Sequence, residues 1–317
     1  MKNNNYQQLT RTFQRLSRFS HLSSIASWDM FTMMPPGGSA ARGEALAEIS
    51  VLQHQILTDK KVGEWLAAAA DEDLNDVEQA NLREMTRHYQ QATLLPESLV
   101  EAKSLAGSRC EHAWRTQRPA NDWQGFSANL KEVVKLSREE ARLRAEAKGC
   151  TPYDALLDIF EPDMTSARLD VLFGDLKSWL PELLAKVVEK QAQRSFVPPQ
   201  GPFPTATQRE LGLEAMKMLG FDFNGGRLDV SAHPFCGGVP EDVRITTRYD
   251  EDELLSALFG VIHETGHARY EQNLPRAWAG QPVALARSTA IHESQSLFFE
   301  MQLGRSDAFL KHLLPAV

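Results

Sequence analysis

The chain has 317 residues, of which 42% are hydrophobic, and its formal net charge at pH 7 is −8. This length is enough to bury a large core, as one domain or as two. Acidic residues outnumber basic ones and no basic tract is present, which argues against a nucleic-acid-binding protein. Three widely spaced cysteines, Cys110, Cys150 and Cys236, form no CxxC pair, so neither a disulfide framework nor a thiolate zinc site is predicted.

The N-terminal residues are polar and lack the apolar segment of a signal peptide, and no apolar run is long enough to span a bilayer. Together with the unpaired cysteines, these features predict a cytoplasmic protein. We therefore expect neither a membrane nor a nucleic acid among its partners.

Most of the chain shows the periodicity of helices, because apolar residues recur at spacings of three and four. Predicted helices cover residues 6–30, 41–70, 75–92, 96–118, 122–147, 166–193 and 205–219. The breaks between them are rich in proline or glycine and include residues 35–38, 149–152 and 196–202.

Two short segments break the helical pattern and predict strands. Residues 227–231 follow a Gly-Gly pair, and residues 242–249 alternate β-branched and polar side chains with a period of two. A loop rich in glycine and proline joins them, and they lead directly into the next helix. This pair could be a structural hairpin, or it could present a strand edge that holds an extended substrate.

The next helix runs from Leu254 into the sequence His263-Glu264-Thr265-Gly266-His267. Residues four apart share one face of a helix, so both imidazoles can reach one metal ion. Glu264 lies beside the same ion, where the general base of an H-E-x-x-H zinc peptidase belongs. The alternative is a helix with two hydrogen-bonded histidines and a surface glutamate. Because the preceding segment is apolar, these polar groups are expected to be buried and to need partners.

Two histidines leave a tetrahedral zinc site short of one protein ligand. The downstream candidates for that ligand are Glu271, His292, Glu293, Glu300 and His312. A further helix is predicted to open near residue 288 and to deliver a side chain from its first turn. Geometry alone leaves Glu293 and His292 in competition for this position.

Four motifs in the same order resemble those of the M32 metallocarboxypeptidases, the carboxypeptidase Taq family. They are His233-Pro234-Phe235 for HPF, Asp242-Val243-Arg244-Ile245-Thr246 for DxRxT, residues 263–267 for HExxH, and His292-Glu293-Ser294-Gln295 for HES(G)xQ. The segment from Trp28 to Arg42 is also similar to the N-terminal pattern of that family. The resemblance covers nearly the whole chain.

The resemblance implies a mainly α fold, a zincin-like helical metallopeptidase with a small antiparallel β-sheet beside the metal helix. It implies a single M32-type peptidase domain, 1–317, with an N-terminal helical region (1–200) and a metal-site region (201–317). The implied activity is that of a cytosolic, metal-dependent carboxypeptidase that releases C-terminal amino acids from peptides, and many members are homodimers. The implied cofactor is one divalent ion, zinc first, with cobalt or manganese as alternatives.

The resemblance also assigns roles to individual residues. His263, His267 and Glu293 are expected to bind the metal, and Glu264 to act as general base and then acid. The other motif residues are expected to bind substrate or to orient the metal ligands: His233, Asp242, Arg244, His292 and Gln295. Arg244 or Arg248 could hold the substrate carboxylate, or both could form ordinary ion pairs.

Two family motifs, IRxxAD and GxxQDxHW, are not found in residues 309–317. In the family they supply an arginine for the terminal carboxylate and donors near the reacting carbonyl. We therefore expect a C-terminally incomplete domain that holds the metal site without the full cleft, with exposed apolar surface. The alternative functions are a catalytically impaired metal-binding fragment and an endopeptidase of the zincin group.

Overall fold

The computed structural model describes residues 4–195 and 197–313, and helices dominate it. The N-terminal region contains α1 (Asn5–Thr32), α2 (Ser39–Thr58), α3 (Lys60–Ala69), α4 (Asp76–Thr93), α5 (Glu97–Gln117), α6 (Trp123–Lys148), α7 (Pro152–Phe160) and α8 (Ser166–Ala192). The remainder contains α9 (Thr205–Met218), β1 (Gly226–Val230), β2 (Cys236–Val239), β3 (Asp242–Thr247), α10 (Leu254–Gln272), α11 (Thr289–Leu297), a π-helical segment (Phe298–Gly304) and α12 (Asp307–Leu313). Within the described ranges, no helix is both long and apolar enough to cross a bilayer.

The predicted helices are present, with two differences in the N-terminal region. The segment 41–70 forms two helices, because the Asp59 side chain accepts a hydrogen bond from the N–H of Lys61 at 2.8 Å and caps a new helix there. A short helix, α7, was not predicted; Thr151 caps it, and Pro152 suits its first turn. Residue 196, inside a predicted break, lies outside the described residues.

The small sheet lies beside the predicted metal helix, as expected, but it has three strands rather than two. β3 is central; it pairs parallel with β1 and antiparallel with β2. The two predicted strands, β1 and β3, therefore do not form a hairpin, and the antiparallel pair is made by β2 and β3. β2 falls in the segment that was predicted to be a loop. Its sequence, Cys-Gly-Gly-Val, is too short and too rich in glycine to show an alternating pattern.

The metal helix α10 packs on one face of this sheet. Val243 and Ile245 of β3 are fully buried and contact the cluster that includes Val261 of α10. Met216 of α9 belongs to the same cluster, and α9 also packs against α10. Because α10 is held between a sheet and a helix, its remaining face is presented in a fixed orientation.

The N-terminal region has its own core, and a buried polar network joins it to the metal-site region. The core cluster comprises Tyr6, Leu9, Phe13, Leu16, Val62, Leu66, Ala69 and Met85. At its edge, the fully buried Asn81 donates to the side chain of Gln281 at 3.2 Å and accepts from the N–H of Val283. Buried polar contacts of this kind are costly to break, so the two regions are tied together.

Helix α8 differs from the others because nearly all of its length is exposed, and residues 170–192 are exposed on every side. Its apolar side chains nevertheless recur at spacings of three and four: Phe173, Leu176, Leu180, Leu183 and Val187, with exposed fractions between 36% and 52%. Such a stripe is typical of a helix that packs against another helix. This helix therefore exposes a continuous apolar stripe.

Candidate metal centre and active site

The motif helix presents His263 and His267 on the same face, one turn apart. Their ring centroids are 5.0 Å apart, and the ring planes are inclined by 78°. Glu264 follows His263 in sequence and is 7% exposed. The helix therefore places two imidazoles on one face, and His267 and the buried Glu264 line the same cavity.

The third candidate ligand, Glu293, reaches this face because α11 crosses α10 at very short range. The crossing point is Gly266: a Cβ atom there would lie 2.6 Å from Cα of Ser296 and 2.7 Å from the carbonyl oxygen of Gln295. A side chain at position 266 would push the two backbones apart. The glycine between the two motif histidines thus sets the separation between Glu293 and the histidines.

The three side chains converge through specific atoms. His263 Nε2 lies 3.7 Å from Glu293 Oε1, and His267 Nε2 lies 3.3 Å from Glu293 Oε2. One donor atom from each side chain falls within 4.8 Å of the other two. Tetrahedral zinc with bonds of about 2.0–2.2 Å separates its ligand atoms by about 3.3–3.6 Å. The nitrogen–oxygen donor set and its spacing therefore fit such an ion.

Behind His263, a carboxylate fixes the orientation of the ring. Glu300 Oε2 lies 3.1 Å from His263 Nδ1, and its other oxygen accepts from Arg305 at 2.7 Å. Glu300 belongs to the π-helical segment that continues α11, and such segments often occur at functional sites. With its proton on Nδ1 and shared with Glu300, His263 leaves the Nε2 lone pair free for a metal.

Behind His267, the orientation is fixed by a chain of two hydrogen bonds. His267 Nδ1 lies 2.7 Å from His292 Nδ1, and His292 Nε2 lies 2.7 Å from Glu271 Oε1. Glu271 accepts only, so His292 donates from Nε2 and accepts at Nδ1. His267 must then donate from Nδ1, which leaves its Nε2 lone pair facing Glu293.

Two pKa values shift in directions that suit this arrangement. Burial, and then the neighbouring imidazoles of His292 and His263, lower the pKa of His267 to about 4, so this ring is neutral near pH 7. Burial and then the charge of Glu293 raise the pKa of Glu264 from 4.5 to about 7. A carboxyl group with this pKa can both take up and release a proton near neutral pH.

The site opens into a cavity of about 560 Å³. Its wall opposite α10 is the strand β2, which lies at the edge of the sheet. The cavity is lined by Ile159, Phe160, Phe235–Val239, Glu264, His267, Glu271, Ala286–Thr289 and His292. Residues from α7, β2, α10 and the start of α11 thus enclose a space large enough for a short peptide.

Asp242 and Arg244 are not among the residues that line this cavity, and their role in binding substrate or orienting the metal ligands stays a prediction. Residues alternate between the faces of β3, and Val243 faces α10. Arg244 instead points towards α1, where it stacks 4.3 Å from the ring centroid of Trp28. It also donates to Asp242 at 2.9 and 2.7 Å.

His233, Gln295 and Arg248 are not among the residues that line the cavity beside Glu264. His233 lines a neighbouring cavity of about 710 Å³, on the far side of Phe235. Gln295 donates to Ser294 at 3.3 Å, and its backbone forms part of the crossing at Gly266. Arg248 is exposed at the end of β3.

From the sequence, Glu271 and Glu300 are candidates only for the third metal ligand. The structure places both behind the histidines, as hydrogen-bond partners of His292 and His263. Spacing gave a partial signal for Glu271, which is four residues after His267 on the same helical face. Glu300 carried no such signal, because its position depends on the π-helical segment. The remaining candidate, His312, is exposed on α12.

Comparisons with known proteins agree with this geometry. Residues 8–317 match the family described as carboxypeptidase Taq (M32) metallopeptidase. The chain is 38% identical to thermostable carboxypeptidase 1 of Thermus thermophilus, over 98% of the chain and 63% of the relative. It is 35% identical to carboxypeptidase 1 of Bacillus subtilis, over 93% of the chain and 59% of the relative.

Solved structures that resemble this chain also include a metallocarboxypeptidase. The metallocarboxypeptidase 1 structure from Trypanosoma cruzi has a TM-score of 0.88 and 50% sequence identity, over 98% of this chain and 63% of that one. The chain thus spans somewhat less than two thirds of the length of these proteins. It belongs to the carboxypeptidase Taq (M32) family of metallopeptidases.

Proposed function

We propose that this chain acts as a metal-dependent carboxypeptidase that hydrolyses the C-terminal peptide bond of peptides and releases a free amino acid. The observation that carries the proposal is the convergence of His263 Nε2, His267 Nε2 and the Glu293 carboxylate beside the buried Glu264. The relatives are named carboxypeptidases, which supports an exopeptidase over an endopeptidase. Because the chain spans 63% of the Thermus relative, the activity of the whole protein is part of the proposal.

The proposed metal ligands are His263, His267 and Glu293. A divalent ion held there would polarise a carbonyl and lower the pKa of a bound water to about 7. Zinc suits this donor set, and cobalt and manganese can use it as well. Glu300, and His292 together with Glu271, keep the two rings in the tautomers that the ion requires.

The proposed role of Glu264 is to move the proton. Its carboxylate form accepts a proton from the attacking water, and its acid form donates that proton to the leaving amine. A pKa of about 7 leaves both forms accessible at neutral pH. Burial also keeps the carboxyl group away from bulk water, so the proton stays within the site.

The edge of β2 is proposed to hold the substrate backbone. Within the described sheet, β2 pairs with β3 on one side, and Cys236–Val239 lines the cavity. An extended peptide could add to this strand through main-chain hydrogen bonds, which would hold it independently of side-chain identity. His233 and Gln295 remain proposals for substrate contacts.

The experiment that tests the proposal measures release of free amino acid from N-blocked dipeptides, with zinc or cobalt added. The same dipeptides with an amidated C-terminus serve as substrate controls, because a carboxypeptidase needs the free carboxylate. The Glu264→Gln variant should keep the metal and lose turnover. A chain that binds one ion yet releases no amino acid would favour the metal-binding fragment, and internal cleavage of longer peptides would favour an endopeptidase.

We also propose that the chain folds as one domain, because buried contacts such as Asn81–Gln281 cross between its two regions. Unfolding should then occur in one cooperative transition.

A cytoplasmic location and a homodimer remain predictions from the sequence. Light scattering coupled to size-exclusion chromatography would measure the mass in solution and so show whether the chain forms a homodimer.

A further inference from the structure

The N-terminus of α11 is capped by a carboxylate from a distant part of the chain. Glu161, the residue after α7, accepts from the hydroxyl of Ser288 through both carboxylate oxygens, each at 2.8 Å. Its Oε2 atom also accepts from the backbone N–H of Ala290 at 2.9 Å. The Ser288 hydroxyl in turn accepts from the N–H of Ile291 at 3.0 Å. Two of the first free amides of α11 therefore have partners, one of them supplied by Glu161.

The turn that carries Glu161 is itself anchored to the N-terminal helices. The Asp158 carboxylate, on the last turn of α7, accepts from Arg87 of α4 at 3.1 Å and from Lys148 of α6. It also accepts from the backbone N–H of Asp163 at 3.0 Å, just beyond Glu161. Glu161 is therefore presented from a fixed point, and it can determine where α11 begins.

The position of that helix start matters for the site because Glu293 follows Ala290 by less than one turn. A shift of the first turn of α11 would be passed directly to the Glu293 carboxylate. The distances of 3.7 and 3.3 Å from Glu293 to His263 and His267 leave little tolerance for such a shift. The negative charge of Glu161 also interacts favourably with the helix dipole at this end.

We propose that Glu161 is a positioning residue of the metal centre, which sets the place of Glu293 by capping α11. The inference rests on the metal site proposed above. It assigns a role in metal binding to a residue from the N-terminal helical region, which contributes none of the three ligands.

The chain offers a matched control for this proposal. Glu72 accepts from the N–H of Asn5 at 2.8 Å and from the N–H of Tyr6 at 3.4 Å, and so caps α1 in a similar way. α1 carries none of the proposed metal ligands. Glu72→Ala should therefore lower stability without affecting the metal, whereas Glu161→Ala should affect both.

The first measurement is zinc affinity by competition with a chelating dye, together with the thermal unfolding temperature. Glu161→Ala should weaken zinc binding by about 10-fold or more, because a displaced first turn of α11 moves Glu293, and losing a group that orients a ligand typically costs about 10–100-fold. Glu161→Gln keeps one oxygen that can accept from Ser288 and Ala290 but loses the second acceptor and the charge, so its loss of zinc affinity should be smaller than that of Glu161→Ala, at no more than about 5-fold. Wild-type affinity in Glu161→Ala, or an equal loss in Glu72→Ala, would overturn the proposal.

The second measurement separates this inference from the proposed function. Amide hydrogen exchange across residues 288–297 is followed in metal-free protein. Exchange there should become several-fold faster in Glu161→Ala than in the wild type or in Glu72→Ala, because a lost cap frees the first turn. If the wild type binds no zinc, the proposed function fails, and this exchange alone decides the role of Glu161: unchanged exchange would overturn it.

Discussion

The buried carboxyl group of Glu264 should make the metal-free protein less stable as the pH rises, and Glu264→Gln should remove that effect. In the folded chain its pKa is about 7, against 4.5 as its ordinary value. Between these pH values the unfolded chain has released the proton, and the folded chain still holds it. Stability therefore falls as pH increases through this interval.

The size of the effect follows from the two pKa values. The raised pKa of Glu264 lowers the free energy of unfolding by on the order of 3 kcal/mol at pH 8 and about 1 kcal/mol at pH 5, relative to a group whose pKa is the same in both states. Glutamine resembles the neutral acid and does not titrate, so Glu264→Gln should be more stable than the wild type by about these amounts. A gain in stability would be unusual, since most substitutions of buried residues destabilise a protein.

The assay is urea unfolding of both proteins at pH 5 and pH 8 in the presence of a chelator. Glu189→Gln, at an exposed position of α8, is the control and should show no pH-dependent difference from the wild type. A stability difference between Glu264→Gln and the wild type that is the same at both pH values would refute the reasoning. So would a variant that is less stable than the wild type at pH 8.

Three further results are expected. Glu300→Ala should weaken zinc binding by about 10–100-fold, measured by dye competition, because the hydrogen bond to the Nδ1 atom of a ligand is lost; wild-type affinity would exclude this role. Gly266→Ala should cost at least about 1–3 kcal/mol in urea unfolding, because its Cβ would lie 2.6 Å from Cα of Ser296, and an unchanged midpoint would contradict the crossing geometry. Leu180→Ser should change the free energy of unfolding by less than about 0.5 kcal/mol, whereas Leu9→Ala in the core should cost about 2–5 kcal/mol; equal losses would show that α8 is packed in solution.

The sequence predicts the parts of this structure that local periodicity specifies. The long helices have clear three- and four-residue spacing, and most of their ends fall within a few residues of those predicted. The motif helix and the helix that opens at Ser288 are predicted for the same reason. Within the motif, i,i+4 geometry is enough to place His263 and His267 on one face.

The remaining features depend on contacts between distant segments. Alternation in β3 shows which residues share a face, but only packing shows that Val243 meets α10 and that Arg244 meets Trp28. The role of Glu300 depends on a π-helical segment that no local pattern announces. Glu161 contacts Ser288, the cap residue of α11, which lies 127 residues after it, and sequence spacing cannot indicate such a contact.

The most direct test of the metal centre is equilibrium dialysis of metal-depleted protein against zinc, with Glu293→Gln and Glu264→Gln measured in parallel. The wild type and Glu264→Gln should each bind about one ion per chain with similar affinity. Glu293→Gln should bind more weakly, by more than the roughly 10–100-fold that loss of an outer contact costs. Equal affinity in all three proteins would contradict the assignment of His263, His267 and Glu293 as the metal ligands.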